Sequence, residues 1–70
     1  MKEKAQGIID RGIDNFQKYY NVDTADYGLH VMIGKILLVA ELELITAIQM
    51  DECVDRLFYE HKKLKKFSKN

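Results

Sequence analysis

The chain has 70 residues, equal numbers of acidic and basic side chains, one cysteine and no proline. At that length it forms one domain at most and buries only about 60% of its unfolded surface, and a lone cysteine excludes an internal disulfide. Cys53, His30, His61 and scattered carboxylates lack the CxxC or HxxxH spacing of a structural zinc site. Oligomerisation therefore remains as a source of added stability, and the 47% hydrophobic fraction leaves surface for it.

In the first segment, Glu3 to Tyr20, apolar residues recur at Ala5, Ile8/Ile9, Ile13, Phe16 and Tyr19/Tyr20. That is the three-and-four spacing of one helical face. Gly7 and Gly12 each weaken it by up to about 1 kcal/mol, so this helix needs tertiary support. Asn21-Val22-Asp23-Thr24 reads as a turn in which Asp23 or Thr24 caps the next helix, with Asp26 in its first turn. The second helix is expected from Ala25 to Ile45. Leu29, Ile33, Ile36/Leu37, Ala40 and Leu44 line one face, and Val31, Leu38, Leu42 and Ile45 line another. A helix apolar on two sides is central in a bundle or shared between subunits.

Ala40 to Leu44 alternates with period two, but five residues without a partner strand do not make a sheet. Thr46 to Gln49 is the expected break before a third helix, Met50 to Lys66, whose apolar stripe is Met50, Cys53/Val54, Leu57/Phe58, His61 and Leu64. Asp51 and Glu52 open it and Lys62, Lys63, Lys65 and Lys66 close it, the order a helix dipole favours. Fusion of the second and third helices into one rod is the competing reading. The expected domain covers residues 1–66, with a frayed tail over 67–70.

The charges are segregated. Tyr19 to Asp55 holds seven acids (Asp23, Asp26, Glu41, Glu43, Asp51, Glu52, Asp55) against Lys35, while Arg56 to Asn70 holds six bases against Glu60. The charged amino terminus lacks the apolar core of a signal peptide, and Ile36 to Ile48 is too short and too charged to span a bilayer. A cytoplasmic location follows as an expectation. The excess of lysine over arginine and the plentiful isoleucine suit an AT-rich bacterial or phage genome.

No enzyme signature is present. Cys53 lies on an apolar face, where a thiol is ordinarily inert. His30 has no ligand partner at helical spacing, and His61 suits a helix end. Asp23 to Asp26 lacks the glycine and terminal glutamate of a calcium loop. Glycine-rich phosphate loops, GxSxG elbows and HExxH helices are absent.

These observations lead to an all-α, three-helix unit: an N-terminal helix plus a helical hairpin, pairing as a homodimer. The expected self-association face is Val31, Leu38, Leu42 and Ile45. The expected role is a non-enzymatic protein–protein interaction module, a regulator or inhibitor docking on a larger protein, without cofactor or metal. Glu41, Glu43, Tyr59, Lys62, Lys63, Lys65 and Lys66 are the expected partner-binding residues. The alternative is a dimeric nucleic-acid-binding regulator using the basic carboxy-terminal helix, although the scarcity of arginine weighs against it.

Overall fold

Helices α1 (Lys2–Asp14), α2 (Phe16–Tyr19), α3 (Ala25–Glu41) and α4 (Ala47–Phe67) account for most of the chain in this computed structural model. It describes residues 2–67, with side chains for residues 4–66. No strand occurs among the described residues, so the expected all-α class holds. The body measures 41 × 17 × 15 Å. Helices α3 and α4 form an antiparallel hairpin. The arm α1–α2 runs parallel to α4, because Gln6 meets Cys53, Asp10 meets Arg56 and Gln17 meets Glu60 in sequence order. Phe67 lies in α4 rather than in a frayed tail, and the rest of that expected tail, residues 68–70, lies outside the described residues.

The N-terminal helix is broken at Asn15, where one continuous helix was expected. Asn15 Nδ2 donates to the Arg11 carbonyl at 2.9 Å, competing with the backbone for that acceptor. The Asn15 carbonyl restarts the chain by accepting from the Lys18 and Tyr19 amides. The short α2 then carries Phe16 fully into the core, with the Tyr20 ring 5.0 Å away at 45°. In the following turn Asn21 is the organiser. Its Oδ1 accepts from the Asp23 and Thr24 amides, and its own amide donates to Thr24 Oγ1. Thr24 holds the N-cap position, but its side chain turns back to Asn21 instead of capping α3, and Asp23 is exposed.

Helix α3 ends at Glu41, four residues before the expected boundary, and α4 begins at Ala47, three residues earlier than expected. The Leu44 amide donates to the Val39 carbonyl and the Glu43 amide to the Ala40 carbonyl. That is a Schellman motif with Glu43 in its left-handed position, φ 60°. Immediately after it, Thr46 and Gln49 form a reciprocal capping box. The Gln49 amide donates to Thr46 Oγ1 at 3.1 Å, and the Thr46 amide donates to Gln49 Oε1 at 2.8 Å. The residues read as a break are thus the start of α4, and the single-rod reading fails because both helix ends are satisfied locally. Ile45 precedes the cap and is buried, with Met50 packed against the same core, the arrangement of a hydrophobic staple.

Glycine is the favoured residue at the left-handed position, and a non-glycine residue there costs of order 1 kcal/mol. Glu43→Gly should therefore raise stability by about 1 kcal/mol, or a Tm increase of about 4–8 °C in a domain this small. Thermal unfolding followed by circular dichroism measures it, and an unchanged or lower Tm would contradict the strain.

The core runs through Ile9, Ile13, Phe16, Met32, Ile36, Cys53 and Leu57, with Ile45 and Leu64 closing its ends. On α3 the buried line is Ala25, Gly28, Met32 and Ile36; it shares Ile36 with the expected face, whose other residues do not reach the centre of the core. Leu29, Ile33 and Ala40 flank the core, and Leu37 is 47% exposed. The reason lies at Gly28. A Cβ there would sit 2.6 Å from the Tyr20 ring, so that ring packs directly on the α3 backbone and sets the rotation of the helix.

Candidate interaction surfaces

Three surfaces carry the polar chemistry of the fold. Between α1 and α4, Arg56 donates to Asp10 at 2.7 Å and to Asp14 at 2.8 Å. Its guanidinium is held more firmly in the charged form by the Asp10 hydrogen bond and then by both carboxylates. Two acids one helical turn apart thus clamp one arginine, which fixes the register of α1 on α4. Beside them Gln6 Nε2 donates to Asp10 and meets Cys53 Sγ at 3.5 Å, leaving its buried Oε1 without a partner. Cys53 is buried, as its apolar neighbours implied.

At the opposite flank of α4, His61 Nε2 donates to Asp26 Oδ1 at 2.8 Å, and the Lys65 ammonium lies 3.3 Å from the same oxygen. These contacts, His61 first, hold the Asp26 carboxyl below its ordinary value of 3.8. A depressed carboxylate contributes stability above pH 3.8 that is lost as pH falls through its folded-state value. Asp26 is open to solvent, so screening keeps the effect small. Below pH 3.8 the Tm of the native chain should fall more steeply than that of Asp26→Asn; parallel acid limbs would show the contacts to be uncoupled from folding. His61 is 17% exposed and committed to this pair. Cys53 is eight residues away along α4, about 12 Å, so the two do not form a nucleophile–base pair. Among the described residues no group of three or more His, Cys, Asp or Glu side chains could hold a metal ion.

The third surface is the outer side of α4 near its carboxy terminus. Tyr59 is 62% exposed, and the Lys63 ammonium lies 5.5 Å from its ring centroid. Lys62 and Lys66 line the same shallow depression. A second depression joins Lys62, Lys65 and Lys66 with Val22. Ile48, 72% exposed, lies eleven residues before Tyr59 and on the same side of the helix.

The expected partner-binding residues do not form one patch. Glu41 ends α3 and Glu43 sits in the connecting turn, at one end of the hairpin. Lys62, Lys63, Lys65 and Lys66 stand at the other end, about 22 Å from Ala47 by helical rise. The expected self-association residues also separate. Leu38 and Leu42 are 55% and 60% exposed, Val31 is half-buried, and Ile45 is turned into the chain's own core. What sequence reasoning missed is the Tyr59–Lys63 stack, although the four-residue spacing carries the signal, and the capping function of Thr46 and Gln49, announced by the T-x-x-Q pattern.

Scans against protein-family models, curated proteins and solved structures return no significant match to the chain. No described helix is long and apolar enough to cross a membrane.

Proposed function

We propose that the protein is a non-enzymatic interaction module, of regulator or inhibitor type, that docks on an acidic face of a larger protein through the outer side of α4. The observation that carries this reading is Tyr59, exposed and framed by Lys62, Lys63 and Lys66. Aromatic side chains with a polar tip anchor protein interfaces. The surrounding ammonium groups attract a carboxylate-rich partner and speed its encounter. Ile48 extends the apolar contact three turns toward the start of the helix. The mechanism is occupancy of a surface: His61 is engaged by Asp26 and Cys53 is buried, so neither side chain is poised for chemistry.

The nucleic-acid reading draws on the same lysines but is less well supported by their surroundings. Lys65 is already paired with Asp26. Asp55 and Glu52 stand one and two turns before Tyr59 on the exposed side of α4, where a phosphate strand following the helix would meet like charge.

The test uses two variants, Tyr59→Ser and the fourfold change of Lys62, Lys63, Lys65 and Lys66 to Gln. A partner captured from lysate is purified and titrated against the native chain and both variants, and a short DNA duplex is titrated at low and high salt. The docking reading expects both variants to weaken the partner at least tenfold, with no duplex binding. Duplex binding that the lysine variant abolishes would replace it with the nucleic-acid reading. A partner indifferent to Tyr59→Ser would rule out the α4 surface.

A further inference from the structure

The four lysines near the end of α4 are not equivalent. The Lys63 ammonium lies over the Tyr59 ring, and Lys65 is paired with Asp26 on α3. Lys62 and Lys66 stand between those two and have no carboxylate partner among the described residues. Both are exposed, and they sit one helical turn apart, about 6 Å by helical rise. Both also line two shallow depressions, one on each side of their row. Tyr59 and Lys63 complete the first, and Val22 and Lys65 complete the second. Val22 is 39% exposed on the turn that Asn21 ties down. The lysine row thus runs between two apolar side chains, one aromatic and one aliphatic.

We propose that this row is a clamp for an acidic segment of the partner, one that presents two carboxylates about a helical turn apart with apolar residues beside them. The inference rests on the α4 docking reading and adds to it the chemistry of the partner and a second contact, Val22. Charge complementarity selects the acids. The two unpaired ammonium groups offer the charge-assisted hydrogen bonds that carboxylates accept. Side chains four apart on a helix, or two apart on an extended chain, match their spacing. Lys63 and Lys65 stay with Tyr59 and Asp26 and frame the clamp. The flanks select the apolar residues. A partner side chain gains by covering Tyr59 on one flank and Val22 on the other. A further acid is disfavoured on the Val22 flank, because the adjacent Asp23 has no basic partner among the described residues and would repel it. A phosphate backbone repeats its charge without apolar side groups and would leave both flanks uncovered.

Fluorescence anisotropy tests the clamp, with the full chain titrated into a labelled peptide of three Glu-Leu-Ser-Leu repeats. That probe sets its Glu residues four apart with Leu on either side. Two control peptides replace Leu by Ser or Glu by Gln, and both should bind at least about tenfold more weakly. Lys62→Gln combined with Lys66→Gln should weaken the first peptide about tenfold, and Lys63→Gln combined with Lys65→Gln by no more than about twofold. Val22→Ser should weaken it about threefold. All these positions are at the surface, so each variant should keep the native far-ultraviolet spectrum. A first peptide that does not bind, equal losses from the two lysine pairs, or a Leu-free peptide that binds as well overturns the clamp. Tighter binding of phosphatidylserine vesicles or of a short DNA duplex overturns it too. The purified partner separates this inference from the docking reading. A partner weakened by Tyr59→Ser but indifferent to Val22→Ser removes the clamp and leaves docking on α4 standing, whereas indifference to both removes both.

Discussion

Phe16→Ala should leave most of the chain unfolded at room temperature. The side chain is fully buried, and removing a buried phenylalanine costs about 3–5 kcal/mol. A core this small rarely supplies more than about 3–5 kcal/mol in total. The site has little means of collapsing around the loss. Phe16 enters the core because Asn15 breaks the N-terminal helix, and the Tyr20 ring that leans on it is itself wedged against Gly28. Urea titration followed by circular dichroism should show a lost or strongly advanced transition. Tyr19→Ala, three residues along and 67% exposed, should change stability by no more than about 0.5 kcal/mol. A Phe16→Ala midpoint within experimental error of native would refute the packing described for α2.

Gly28→Ala should destabilise, and Gly34→Ala in the same helix should not. Both substitutions replace glycine by the best helix former, a gain of up to about 1 kcal/mol. At Gly34 the new methyl group meets nothing within 4 Å, so the gain stands. At Gly28 the Cβ would lie 2.6–2.8 Å from three atoms of the Tyr20 ring. The ring cannot yield freely, because Phe16 lies on it. Overpacking of this kind costs about 1–3 kcal/mol, so the clash outweighs the propensity and a net loss of about 1–2 kcal/mol is expected. Thermal melts of both variants measure the difference. A Gly28→Ala variant as stable as Gly34→Ala would mean that Tyr20 does not set the seat of α3.

The contrast between these two glycines explains why the sequence was only partly legible. Periodicity weighs apolar bulk, and on α3 it drew a face through Leu29, Ile33, Ile36/Leu37 and Ala40, of which Ile36 is fully buried while Leu37 is exposed. The line that packs inward is made partly of small residues, Ala25 and Gly28, which contribute almost nothing to a hydrophobic pattern. Their value is absence of volume, and that is visible only once the Tyr20 ring is seen to occupy it. The same argument applies to Ile45. By spacing it continues the stripe of Val31, Leu38 and Leu42, but the helix ends at Glu41 and the turn directs Ile45 inward.

Composition and spacing alone determined the helical class, the hairpin plus N-terminal arm, the burial of Ile9, Ile13, Phe16, Cys53 and Leu57, and the separation of acid from base along the chain. These depend on local properties: helix propensity, the 3.6-residue repeat and charge order, which any helix carries whatever it packs against. Tertiary structure alone decided which of the two apolar sides of α3 is buried, that Glu41 and Glu43 stand at the opposite end of the hairpin from the lysines, and that His61 is engaged by Asp26 across thirty-five residues. Those outcomes depend on which surfaces close-pack at native density, and close packing is a property of two elements together, not of either one read by itself.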